Sequence, residues 1–168
     1  MALYRTVSMS FWTDSKIMDD FTPEDKYFYL YLFTNPHTNL CGCYEISVKQ
    51  AVSETGYSRE TIENLIERFQ NVHNVIRYSP ETKEILLLNW HKYNWTASEK
   101  FRKPLRKELD HIKYKSFYEY LIGIFDGYGI DTTYVDTTYI DTTNTNTNTN
   151  TNTNTDADAD ADGEVMPF

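Results

Sequence analysis

Ser58, Arg59, Asn64 and Arg68 lie on one stretch of chain and carry groups suited to recognition by hydrogen bonding rather than to bond making. Arg and Asn present donors and acceptors that match base edges and phosphate oxygens. Ile62, Leu65, Ile66 and Phe69 recur at i, i+3, i+4 and i+7, so the stretch is a helix with one apolar stripe. Its other side should show Ser58, Arg59, Glu60, Thr61, Glu63, Asn64, Glu67, Arg68 and Asn71 to solvent. The three glutamates oppose nucleic-acid contact, because a carboxylate facing the phosphate backbone is repelled. A second reading therefore stands beside the first: a solvated helix laced by i,i+4 pairs such as Arg59–Glu63.

The stronger electrostatic signal lies further along. Between Lys92 and Lys115 the chain has eight bases (Lys92, Lys100, Arg102, Lys103, Arg106, Lys107, Lys113 and Lys115) against three acids. Clustered bases of this kind supply sequence-independent affinity for a polyanion by releasing its counterions. Arg77 and Lys83, after the helix, join Lys100, Arg102, Lys103, Arg106 and Lys107 as expected DNA contacts. Trp90, Tyr93 and Trp95 flank the run and serve either as core or as stacking platforms for bases.

These side chains need a scaffold, and the flanking residues specify one. Ser47 caps a short helix with Val48, Ala51 and Val52 on its apolar side. Gly56 stands where a helix end calls for a left-handed residue, and Ser58 caps the next helix. With only Gly56 and Tyr57 between them, the two helices turn sharply, as a helix-turn-helix does. Val75, Ile76 and Tyr78, the turn formers Ser79 and Pro80, and Ile85 to Leu88 then form a hairpin, the wing. Cys43 to Ile46 should pair with it.

Further elements support that unit. Thr22-Pro23-Glu24-Asp25 is a helix start, leading into the aromatic Tyr27, Phe28, Leu30, Tyr31 and Phe33 of a central core helix that ends at Asn35-Pro36. Arg5 to Met9 alternates as a short strand would, and Asn89 to Trp95 suits an extended segment packed back on the domain. Pro104 should begin a helix. Ser116 and Glu119 form a capping box for a short closing helix with Tyr120, Leu121, Ile124 and Phe125. The expected fold class is mainly α with a small β-sheet: a winged helix-turn-helix with closing helices over 1–125, then a low-complexity tail over 126–168.

Charge divides the chain at the same place. Residues 1–125 carry 16 bases and 16 acids, whereas 126–168 carry nine acids and no base, so the net charge of −9 belongs to the tail. The low pI therefore does not argue against nucleic-acid binding by the head. The tail begins as pentads starting at Asp126, Asp131, Asp136 and Asp141. Asn-Thr dipeptides follow from Asn144 to Thr155, then Asp-Ala dipeptides from Asp156. With almost nothing apolar past Ile140, it is expected to be disordered.

Several chemistries are excluded. Cys41 and Cys43 flank a single Gly42, and a bridge between them would be strained, so free thiols and the lack of a signal sequence point to the cytoplasm. No apolar run approaches the ~20 residues of a membrane span. His37, Cys41 and Cys43 lack a fourth zinc ligand at standard spacing. Asp158-Ala159-Asp160-Ala161-Asp162-Gly163 matches half a calcium loop but has neither the closing glutamate nor flanking helices. There is no Gly-rich phosphate loop and no nucleophile–base pattern. Neither catalytic residues nor a cofactor or metal is expected.

Taken with Tyr4 to Trp12, the segments Thr22-Pro23-Glu24-Asp25, Gly42-Cys43-Tyr44-Glu45-Ile46, Thr55-Gly56-Tyr57-Ser58 and above all Asn89-Trp90-His91-Lys92-Tyr93-Asn94-Trp95 carry a resemblance. Over about residues 3–122 the chain resembles the N-terminal domain of phage replisome organisers. These are winged-helix, DnaD-related replication initiators of phages and prophages of low-GC Gram-positive bacteria. The resemblance implies binding to double-stranded DNA at a phage replication origin, recruitment of host helicase-loading proteins, and often a homo-oligomer. Longer relatives carry a second helical domain where this chain has its repeats. Two other functions use the same fold: a promoter-binding transcriptional regulator, and a replisome protein-interaction module that docks a partner through the acidic helix.

Overall fold

A computed structural model describes residues 4–128. The aromatic segment after Thr22 is helix α2 (Pro23–Thr34), preceded by a 3-10 turn (Met9–Trp12) and the short α1 (Ser15–Asp20). At the start of α2 the Thr22 hydroxyl accepts from the Asp25 N–H at 3.2 Å, while Asp25 accepts from the Thr22 N–H at 2.9 Å. This reciprocal box satisfies two amides that the first turn leaves free. Phe28, Tyr29 and Leu32 are buried, and Phe28 meets Phe69 edge-on with ring centres 5.3 Å apart. Each such side chain contributes about 1.5–3 kcal/mol by leaving water.

Strand β1 (Cys43–Glu45) leads into α3 (Val48–Thr55) and α4 (Arg59–Asn71). Gly56 ends α3 in the left-handed region at φ 78°, with its N–H on the Val52 carbonyl, and the Ser58 hydroxyl caps α4 through the Thr61 N–H. Ile62, Leu65, Ile66 and Phe69 are the buried side of α4. The hairpin β2 (Ile76–Ser79) and β3 (Glu84–Leu87) follows. The sheet is antiparallel with order β1-β3-β2, pairing Tyr44 with Ile85 and Tyr78 with Ile85. Helix-turn-helix, then hairpin, with a preceding strand completing the sheet, is the winged-helix plan expected from the sequence. The described residues hold seven α-helices, the 3-10 turn and this three-stranded sheet, joined by turns and irregular segments.

Three helices close the domain: α5 (Trp90–Asn94), α6 (Glu99–Leu109) and α7 (Lys115–Gly127). Here four expectations need correction. Arg5 to Met9 forms no strand; residues 5–8 are irregular and Met9 opens the 3-10 turn. Asn89 to Trp95 is not extended but winds into α5. The separation gives the reason: in an extended chain Trp90 and Trp95 would stand about 16 Å apart, whereas the helical turn shortens this to about 7 Å and lets both donate their indole N–H to the Leu40 carbonyl, at 2.9 and 3.1 Å. Trp90 also lies against the backbone of Gly42, where a Cβ would stand 2.3 Å from its Cγ.

Pro104 does not begin α6 but sits inside it. An interior proline costs about 3 kcal/mol, and the helix offsets this by burying Leu105 and Leu109. The Glu108 carboxylate also accepts from the Leu40 and Cys41 amides at 2.7 and 3.1 Å. Finally, Ser116 and Glu119 make no capping box: α7 starts at Lys115, and Glu119 pairs with Lys115 at 3.5 Å. The segment entering α7 is instead anchored by another element. Buried Glu84 of β3 accepts from the Lys113 and Tyr114 amides at 2.9 and 2.7 Å, tying the two residues ahead of α7 to the turn end of the hairpin. The helix then continues through Gly127, and the Tyr128 hydroxyl donates to the Trp95 carbonyl at 3.1 Å. The tail expected to be disordered lies outside the described residues.

Candidate nucleic-acid interface

Two surfaces carry the candidate residues, and they differ in charge. On α4 the exposed side is made by Glu60, Glu63, Asn64, Glu67 and Asn71. Arg59 pairs with Glu63 at 2.8 Å, the i,i+4 contact that the sequence spacing allows. Arg68 turns toward α2, with Nη2 2.6 Å from Asp25 Oδ1 and 3.8 Å from Glu24. Both arginines of α4 are thus paired with carboxylates. Asn64 and Asn71 remain the exposed side chains of this helix able to read a base through both donor and acceptor, Asn64 in its middle and Asn71 at its end. Ser58 spends its hydroxyl on the cap and on the Thr61 hydroxyl, 2.9 Å away.

Asp25 anchors that pairing. Burial alone would raise its pKa, but the Thr22 N–H and hydroxyl, together with the Arg68 guanidinium, outweigh burial and hold the carboxyl below its ordinary range. The ring of buried His73 stands 3.4 Å from the same carboxylate and packs on Phe21, 4.1 Å between ring centres. Nothing in the sequence pairs Asp25 with Arg68: they are 43 positions apart, and only the packing of α2 on α4 joins them.

The wing adds two cations. Arg77 is exposed on β2, its guanidinium donating to the Ile76 carbonyl at 2.8 Å and the Gln70 carbonyl at 3.3 Å. Lys83 is exposed at the hairpin turn, in the left-handed region at φ 57°. Between the wing and α4 runs a groove of about 540 Å³ with Val48, Ile66, Tyr78 and Pro80 as apolar lining and Lys49, Arg59 and Lys83 beside Glu63 and Glu67.

The second surface is α6. Lys100, Lys103 and Lys107 fall at i, i+3 and i+7, so one side of the helix carries all three. Each is exposed, and none has an ion-pair partner among the described residues. The two arginines of the run point elsewhere. The Arg102 guanidinium lies 4.4 Å over the Phe125 ring, with its Nη1 buried and lacking a hydrogen-bond partner. Arg106 lies 5.8 Å from the same ring and 3.4 Å from Asp110. Lys113 pairs with Glu45. Within α6 the basic run is therefore two populations: unpaired lysines facing water, and arginines that dock α7.

Of the flanking aromatics, Trp90 and Trp95 are core while Tyr93 is 74% exposed. Burial pushes the Cys41 thiol up to about 12 and that of Cys43 higher still, so both stay protonated and unreactive. His37 lies against Glu54 at 2.7 Å. Among the described residues no group of three or more His, Cys, Asp or Glu is placed to hold a metal, and no helix is long and apolar enough to cross a membrane. Comparison of the chain with known proteins finds no matching family, no matching curated protein and no matching solved structure.

Proposed function

We propose that this chain is a non-enzymatic DNA-binding protein that acts in replication initiation in the manner of a phage replisome organiser, engaging duplex DNA through its winged helix and the α6 lysines. The observation that carries this reading is the pairing of a helix-turn-helix and wing with a row of lysines that no carboxylate of the described residues neutralises. The lysines supply affinity without sequence preference. Asn64 supplies sequence preference by contacting a base edge, while Arg77 and Lys83 of the wing supply position and register. Contacts to host helicase-loading proteins, self-association and a cytoplasmic site of action belong to the same proposal and rest on the family resemblance.

A second reading has its own support. With Arg59 and Arg68 tied to acids, Glu60 and Glu67 leave the outer side of α4 acidic, which suits a basic protein partner better than a phosphate backbone. Footprinting across the DNA flanking the gene separates the two. Protection of an iterated site at low micromolar protein or below supports initiation, whereas no protection beyond that of random duplex leaves the interaction module as the better account.

A further inference from the structure

We propose that the lysine side of α6 is an internal docking surface, occupied by the chain's own acidic row Asp156, Asp158, Asp160, Asp162 and Glu164. The contact itself does not depend on the DNA-binding reading; only its consequence, competition with DNA, rests on it.

Charge, geometry and reach converge on this pairing. The first 125 residues are formally neutral and the remainder carries nine acids with no base. Within the neutral head, Lys100, Lys103 and Lys107 form a single-sign row without partners among the described residues. At 1.5 Å per residue the row is about 10 Å long. The acids of the tail alternate with Ala or Gly, one every second residue from 156 to 164. Side chains at that spacing share one side of an extended chain about 6.6 Å apart, so two to three consecutive carboxylates match the lysine row. The uncharged stretch 142–155 keeps this acidic block apart from the pentads.

The chain also leaves the head in the right place. Phe125, near the end of α7, lies beneath Arg102 and Arg106 of α6, and Tyr128 is held to the Trp95 carbonyl. The tail therefore starts beside α6. From Tyr128 to Asp156 is 28 residues, a reach of up to about 90 Å, against a radius of gyration near 14 Å for a head of this size. A tethered anion at this distance acts at an effective concentration on the order of millimolar. Its attraction has a range set by salt, about 30 Å at 0.01 M and 10 Å at 0.1 M.

The test is lysine reactivity, which needs no DNA. The full chain and a variant with Asp156, Asp158, Asp160 and Asp162→Asn and Glu164→Gln are acylated briefly with an amine-reactive acetyl ester at 20 mM salt and read by peptide mass spectrometry. Exposed Lys49 of α3 and Lys83 of the hairpin turn, outside the α6 row, serve as internal references. The expected result is about a threefold or greater gain in acylation at Lys100, Lys103 and Lys107 in the variant relative to the references, vanishing at 0.5 M salt as screening removes the contact. Equal reactivity at all five lysines in both proteins overturns the proposal. Protection that fades on dilution also overturns it, because it assigns the anion to a second copy. If protection is found but neither protein binds duplex DNA, the docking stands and the DNA-binding reading fails.

Discussion

The sharpest quantitative consequence concerns the salt dependence of DNA binding after Lys100, Lys103 and Lys107 are all changed to Gln. Each lysine that meets a phosphate releases counterions worth about 0.9 in the slope of log affinity against log salt. Three such contacts amount to a slope of about 2.7. Between 50 and 200 mM salt, a fourfold change, the unmodified lysines then cost the complex about 40-fold more affinity than the variant loses. Fluorescence anisotropy with a labelled duplex, titrated across that range, reads this directly. The comparison is best made with the acidic row 156–164 neutralised in both proteins, so that counterions rather than the tail are displaced. A control comes from the other half of the run. Arg102→Gln with Arg106→Gln should leave the slope unchanged, because both guanidiniums face the Phe125 ring. It should lower the melting temperature by several degrees, as about 1–2 kcal/mol of cation–π contact is lost. If the triple lysine variant keeps the full slope, the α6 lysines are only a solvated surface. If the arginine pair carries the slope, the division of the run into two populations is wrong.

Other outcomes follow from the same contacts. Gly42→Ala should cost about 3 kcal/mol in denaturant unfolding, since φ is 75° there and the new Cβ would press on Trp90; a loss below about 1 kcal/mol would show that α5 can move aside. Asp25→Asn should destabilise by about 3 kcal/mol at neutral pH. Because the native carboxyl titrates below its ordinary 3.8, the stability it confers is complete above that value and lost as pH falls through the native pKa. The gap between Asp25→Asn and the unmodified protein should therefore close in acid; a gap that persists at low pH would mean the ion pair is not its source. Asn64→Ala should reduce affinity for a preferred site by about 1–3 kcal/mol while leaving random-duplex binding and stability alone. Arg68→Ala should instead show its main effect in the melting curve; a pure change of sequence preference would contradict its pairing with Asp25.

Where one local rule governed the outcome, the sequence was readable. Ser47, Gly56 and Ser58 punctuate α3 and α4 as expected, since a cap or a left-handed residue acts within a few positions. The wing followed for the same reason. The closing region defeated such rules because its controls are distant. α5 exists so that two indoles can share the Leu40 carbonyl, about fifty positions away. The chain entering α7 is held by Glu84, and no Ser116 capping box forms. α6 tolerates Pro104 because Glu108 and two buried leucines hold it down. The candidate site was legible in composition but not in direction. The sequence marks 92–115 as basic, yet only packing distinguishes outward lysines from arginines folded over Phe125. Arg68 likewise stands at a position suited to reading a base, and nothing short of the α2–α4 contact shows that Asp25 has claimed it.

The two indoles on the Leu40 carbonyl also give the molecule a built-in optical reporter. Of its three tryptophans, Trp90 and Trp95 are buried around one peptide group, while Trp12 is 58% exposed on the 3-10 turn near the N-terminus. Emission at shorter wavelengths therefore belongs to the junction of α5 with the 37–42 loop, and emission at longer wavelengths to the N-terminal segment. Undocking of the closing helices should redshift the first pair and leave the third unchanged. Trp12→Phe would isolate that signal, allowing the closing helices to be followed in real time without an added label.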